Sequence, residues 1–163
     1  MNQESQGTDP ALTALVWRRR YPPTPRSVTL SRHHASHVLA EWNVGRADVA
    51  ATELVVSELV TNVVQHGRVP GRLVELRVTY DLAKTVTLEV SDAGDWRPPP
   101  APARNPGEMA ESGRGLALVA AFADAWGVRG REVGKTVWAR LVVEQAPSGP
   151  PPHSHVSPIV ADT

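Results

Sequence analysis

The chain has no cysteine, which removes disulfides, Cys-zinc sites and thiol chemistry from consideration. It also lacks net charge: 17 basic residues balance 17 acidic ones, so no global basic field points to a nucleic-acid partner. Lysine is scarce, with only Lys84 and Lys135 among the basic residues, and the arginine excess reads as codon usage rather than function. No apolar run approaches the roughly 18 residues of a membrane span. The polar stretch Met1 to Pro10 lacks the charged and apolar regions of a signal peptide. The expectation is a soluble, cytoplasmic protein. Its 163 residues suit a single domain, of a size that buries about 70% of its unfolded surface.

Proline is unevenly placed. Ten of the 15 prolines fall in two stretches, Pro98 to Pro106 and Pro147 to Pro158, and neither can be a helix interior or a central strand. The second stretch belongs to a Pro/Ser/His tail, 146–163, expected to be disordered. The first lies between two well-patterned segments, where a long loop is usually a lid, a binding loop or a linker. Thr24 before Pro25 reads as an N-cap with proline at the first helical position, opening a helix to Trp42 whose apolar positions are Val28, Leu30, Ala35, Val38, Leu39 and Trp42. Arg46 to Val64 is the strongest helix, with Val55, Leu59, Val60 and Val63 on its apolar face and Gly67 as its stop. Val74 to Tyr80 and Thr85 to Ser91 alternate with period two across a short Asp81 to Lys84 connection, which predicts an antiparallel hairpin. Gly115 to Ala125 reads as a helix, Ala125 to Arg129 and Thr136 to Val143 as strands, and Trp17 to Tyr21 as an edge strand. The fold class is α+β, with helices on one face of a mixed, mostly antiparallel sheet. A flexible N-terminus over 1–14 would precede one domain over 15–145.

Glu58, Asn62 and His66 are spaced four apart and so project from one helix face over two turns. That spacing alone suits an ordinary solvated stripe. It also suits a site in which the amide oxygen ligates a magnesium ion, which takes few protein oxygens plus water and phosphates. Asp92-Ala93-Gly94 stands at a strand end, either as a simple Asp-x-Gly turn or as a carboxylate placed to accept from an exocyclic amine. Gly113-Arg114-Gly115-Leu116 opens a helix, either as a plain junction or as free N–H groups that favour an anion. The dinucleotide pattern G-x-G-x-x-G fails, because Leu118 holds the third glycine position. The Walker pattern fails at Arg129, and Gly134-Lys135-Thr136 leads into a strand rather than a helix. His33 and His37 have metal-capable spacing beside His34 but no nearby carboxylate cluster, and read as a surface or partner-facing helix.

The order of these pieces carries more than any one of them. Glu58-Leu-Val-Thr-Asn62-Val-Val-Gln-His66 resembles the N box of the GHKL superfamily of gyrase, Hsp90, histidine kinases and MutL. Asp92-Ala-Gly94 looks like its first glycine box, Gly113-Arg-Gly115-Leu its second, and Gly134-Lys-Thr136-Val-Trp its last. The resemblance implies a two-layer α/β sandwich of the Bergerat type, an ATP and Mg2+ site, and a lid at about 94–113. Val56-Ser-Glu58-Leu-Val-Thr-Asn62 and the preceding Pro25 to Trp42 segment are most similar to anti-sigma-factor serine/threonine kinases. These bind a sigma factor, often as dimers, and phosphorylate a STAS-fold antagonist. On that likeness Asn62 ligates magnesium, Glu58 activates the attacking hydroxyl and Asp92 receives the adenine amino group, with Thr136 supporting the base from the sheet. Gly94, Gly113, Arg114, Gly115, Leu116 and His66 border the nucleotide.

The family's first glycine box often continues D-x-G-x-G, whereas here Asp95-Trp96 and prolines come after Gly94. That departure bears on the lid and on turnover more than on nucleotide binding. It keeps open a second class, a nucleotide-binding module that sequesters a partner with little or no kinase activity. A two-component histidine kinase would need a dimerisation helix with an acceptor histidine, for which the stretch before the edge strand is too short. A gyrase- or MutL-type ATPase would need a transducer domain after residue 143.

Overall fold

The computed structural model describes residues 14–94 and 113–145. The expected tail and most of the expected lid lie outside the described residues. The element order is β1 (Ala14–Tyr21), α1 (Pro25–Glu41), α2 (Arg46–His66), β2 (Val74–Asp81), β3 (Thr85–Asp92), α3 (Gly113–Phe122), β4 (Ala125–Gly130) and β5 (Lys135–Val142). The strands form one sheet in the order β1-β2-β3-β5-β4. Every pairing is antiparallel, so among the described residues the sheet is antiparallel throughout and not mixed as expected.

The period-two pattern of β2 and β3 becomes two unlike sheet faces. Val74, Leu76, Val78, Tyr80, Val86, Leu88 and Val90 are all buried, joined by Val137, Ala139 and Leu141 of β5. Against them lie Val55, Val56, Leu59, Val60 and Val63 of α2 in one continuous core. This is a two-layer sandwich, because an apolar sheet face and an apolar helix stripe each need the other to leave water. The hairpin turn works through Asp81, whose Oδ1 accepts the Thr85 N–H at 2.9 Å while Lys84 takes φ 58.

Helix α1 departs from its apolar pattern. Leu30 is exposed, whereas Ser27 and Ser31 are buried beside Ala35, Val38 and Leu39. The serines stay inside because their hydroxyls donate to the carbonyls of Pro22 and Val28, at 2.6 and 3.0 Å. Of the three histidines on α1, His33 and His37 are exposed and His34 is half-buried. The His34 ring stacks on Tyr21, with centroids 5.9 Å apart. Arg19 Nη1 lies 3.3 Å from its Nε2 and can only donate, so Nδ1–H donates to the Tyr21 hydroxyl at 2.8 Å. Burial, Arg19 and the neighbouring histidines push the His34 pKa down. Burial raises that of Tyr21 to about 12 against a smaller opposing effect of Arg19. Among the described residues no His, Asp and Glu cluster could hold a metal ion, and no helix is long and apolar enough to cross a membrane.

Candidate functional site

Helix α2 runs two residues past the expected Val64, to His66, and so carries the whole Glu58, Asn62, His66 stripe. Glu58 and Asn62 are half-buried and His66 is exposed. Gly67 caps the helix with its N–H on the Val63 carbonyl at 2.8 Å. Its φ of −109° is open to any residue, so the need for glycine lies elsewhere. A Cβ on Gly67 would stand 2.6 Å from Asp92 Oδ2. The end of the polar helix therefore meets the end of β3 at bare backbone.

Asp92 is the centre of a glycine cradle. Gly94 donates its N–H to Asp92 Oδ1 at 2.8 Å, and a Cβ there would lie 3.0 Å from the Gly67 carbonyl. Gly134, at φ +80, is pressed so hard against the same strand end that a Cβ would fall 1.8 Å from the Asp92 carbonyl oxygen. Gly67 and Gly94 thus give up side chains beside the Asp92 carboxylate, and Gly134 beside its backbone. Lys135 Nζ lies 3.0 Å from Oδ2 and 3.4 Å from Oδ1, but the hydrogen-bond geometry is met only at Oδ1. Asp92 Oδ2 is buried with no hydrogen bond. An unsatisfied buried acceptor costs about 1–3 kcal/mol, more if charged, and here the Lys135 ammonium 3.0 Å away offsets part of that cost.

The structure brings Asp92 and Gly94 together with Gly67 at the joined ends of α2 and β3, while Asn62 and Glu58 lie further back along α2. It does not bring Thr136 to Asp92. Thr136 pairs with Ser91 across β3 and β5, and their hydroxyls are 2.8 Å apart on the sheet face opposite the helices. The side chain opposite Asp92 in that register is Lys135, which sequence reasoning passed over. Gly113, Arg114 and Gly115 open α3, two residues earlier than the helix expected from Gly115, and Leu116 is half-buried just after them. Between Gly94 and Gly113 the expected lid lies outside the described residues. Ser57, one residue before Glu58, also has a buried hydroxyl with no partner, a feature with no signal in the sequence.

A cavity of about 350 Å³ reaches the same strand end, lined in part by Arg20, Arg72, Glu75, Ser91, Asp92 and Arg131. Arg20 is already committed to Glu75 at 3.0 Å. Neither Glu58 nor Asn62 lines this cavity, so it is not the place where the two α2 side chains could act.

The fold is similar to a solved chain described as the RsbU and RsbW domains of Rv1364c from Mycobacterium tuberculosis, with TM-score 0.63 and 19% identity. The likeness covers 81% of this chain and 34% of that one, so this chain spans about a third of its length. No curated protein matches in sequence. Residues 21–141 match the histidine kinase-like ATPase domain, a span that runs from the last residue of β1 into β5 and takes in α2, Asp92 and the glycine cradle. The chain belongs to the histidine kinase-like ATPase domain family.

Proposed function

We propose that this chain is an ATP-binding protein serine/threonine kinase of the anti-sigma-factor kind, which phosphorylates a STAS-fold antagonist and acts on transcription by partner switching. The observation that carries the reading is the buried Asp92 carboxylate, whose Oδ2 takes no hydrogen bond, at a strand end closed in by Gly67 and Gly94. An adenine amino group is a donor of the right chemistry for that oxygen. Counting back along α2 from Gly67, Asn62 and Glu58 lie about 8 and 14 Å up the helix axis. That is the order in which a nucleotide lying along the helix would present its phosphates and then its reacting end.

The donor set also suits magnesium, which binds through few protein oxygens and otherwise through water and substrate phosphates. Held at Asn62, magnesium would supply charge neutralisation on the phosphates. Glu58 accepts the proton of the attacking serine or threonine hydroxyl as its oxygen bonds to the γ-phosphorus and ADP leaves. Gly113, Arg114 and Gly115 offer the free N–H groups of the first turn of α3 to an anion, and exposed His66 closes the stripe. Phosphoryl transfer is mainly positioning and charge neutralisation, for which this short roster is chemically sufficient. The solved neighbour joins an RsbW domain to an RsbU domain in one chain, which supports partner switching; a sigma factor or STAS-fold antagonist as partner, and a homodimer, follow from the sequence resemblance.

Phosphotransfer from γ-labelled ATP to a STAS-fold protein, measured beside ADP affinity, tests the reading. Glu58→Gln should lower transfer by about a hundredfold or more while ADP affinity changes little. Transfer that survives in Glu58→Gln contradicts the assigned base. The Asp95-Trp96 departure from the first glycine box favours the second reading, a partner-sequestering nucleotide module, which predicts ADP binding without transfer by the unaltered protein.

A further inference from the structure

We infer that Lys135 is a base-recognition residue, reading the ring acceptor next to the amino group that Asp92 takes. The inference rests on the adenine-nucleotide reading above. Three observations carry it. Register sets Lys135 directly across from Asp92, on the helix side of the sheet. Its ammonium lies 3.0 Å from Oδ2, and the side chain is only 18% exposed while that of Asp92 is fully buried. The ammonium ion-pairs with the carboxylate at 3.0 Å from Oδ2 and 3.4 Å from Oδ1, and Oδ2, which takes no hydrogen bond, keeps a lone pair.

A Lys ammonium carries three donors and no acceptor. With one donor spent on Oδ1, others remain beside the unused acceptor of Asp92. The pair thus offers an acceptor and a donor side by side. Adenine presents the complement on its pairing edge: the N6 amine donates and the adjacent N1 accepts. Paired contacts to neighbouring atoms of one base edge are how side chains discriminate bases. Thr136, the neighbouring residue in the last glycine box, cannot fill this role because its hydroxyl is bonded to Ser91 on the far face.

The test is the affinity of the full chain for ADP and for 1-deaza-ADP, which differs only in having carbon in place of N1. A charge-assisted hydrogen bond is worth roughly tenfold or more in affinity, so the protein should bind ADP at least about tenfold tighter than the analogue. Lys135→Met should remove that preference and bind the two alike, whatever it does to either affinity alone. Lys135→Gln, which keeps a neutral donor, should retain part of it. An unaltered protein that binds both nucleotides equally overturns the inference without using any variant. A Lys135→Met variant that keeps the full preference overturns it as well, and leaves Lys135 as a counter-ion of Asp92. If no adenine nucleotide binds the unaltered protein, the nucleotide reading itself fails and takes this inference with it.

Discussion

Gly134 and Gly71 share a left-handed backbone, φ +80 and +76, but differ in what surrounds them. Around Gly71 a Cβ would meet nothing within 4 Å, whereas at Gly134 it would sit 1.8 Å from the Asp92 carbonyl oxygen. Gly71→Ala should therefore cost only the left-handed conformation, about 1–2 kcal/mol. Gly134→Ala should cost the same plus the displacement of a β3 end packed against β5. Forced backbone shifts in packed regions cost about 1–3 kcal/mol more. At roughly 2–4 °C per kcal/mol for a domain of this size, the two variants should differ in melting temperature by about 2–12 °C. Thermal unfolding followed by circular dichroism measures this directly. Equal losses in the two variants would refute the claim that Gly134 is required by its contact with Asp92 rather than by its dihedral angle.

Gly67→Ala places a methyl 2.6 Å from Asp92 Oδ2 at an unstrained φ, so it should lower ADP affinity more than it lowers melting temperature; calorimetric titration beside thermal unfolding separates the two. Asp92→Asn keeps an acceptor for the Gly94 N–H but ends the ion pair with Lys135, and should weaken ADP binding by tenfold or more. The raised Tyr21 pKa means that its neutral form is favoured in the fold. The stability it contributes is whole below pH 10 and lost as pH rises from 10 through about 12. Tyr21→Phe should flatten that alkaline loss in pH-dependent denaturation. The lowered His34 pKa works from the other side: its contribution is present above pH 6.5 and declines as pH falls below 6.5. His34→Gln should remove that acidic slope.

What the sequence reveals depends on the range of the interaction. Period-two alternation placed both hairpin strands to within a residue, and the same alternation separates Val74, Leu76 and Val78 inside from Glu75 and Arg77 outside. The Glu58 to His66 stripe was legible because helical spacing is local. Leu30 and Ser27 were not, since hydropathy ranks leucine inside and serine outside, and the Ser27 bond to the Pro22 carbonyl reverses this. Lys135 and Thr136 show the limit most plainly. They are adjacent in sequence, and which one faces Asp92 depends on the register between β3 and β5, set by residues more than forty positions apart. A slip of one residue would exchange their faces. Gly67 reads as a helix stop, while its contact with the Asp92 carboxylate requires the two chain ends to be seen together.

The central claim is that the joined ends of α2 and β3 form a magnesium-dependent nucleotide site. Thermal unfolding of the unaltered protein and of Asn62→Ala, each with and without Mg-ATP, tests it most directly. At a hundred times its dissociation constant the nucleotide should add about 2.7 kcal/mol of stability, a rise of roughly 5–10 °C, and Asn62→Ala should lose most of that rise. No rise in the unaltered protein at millimolar Mg-ATP, or an equal rise in Asn62→Ala, would contradict the account.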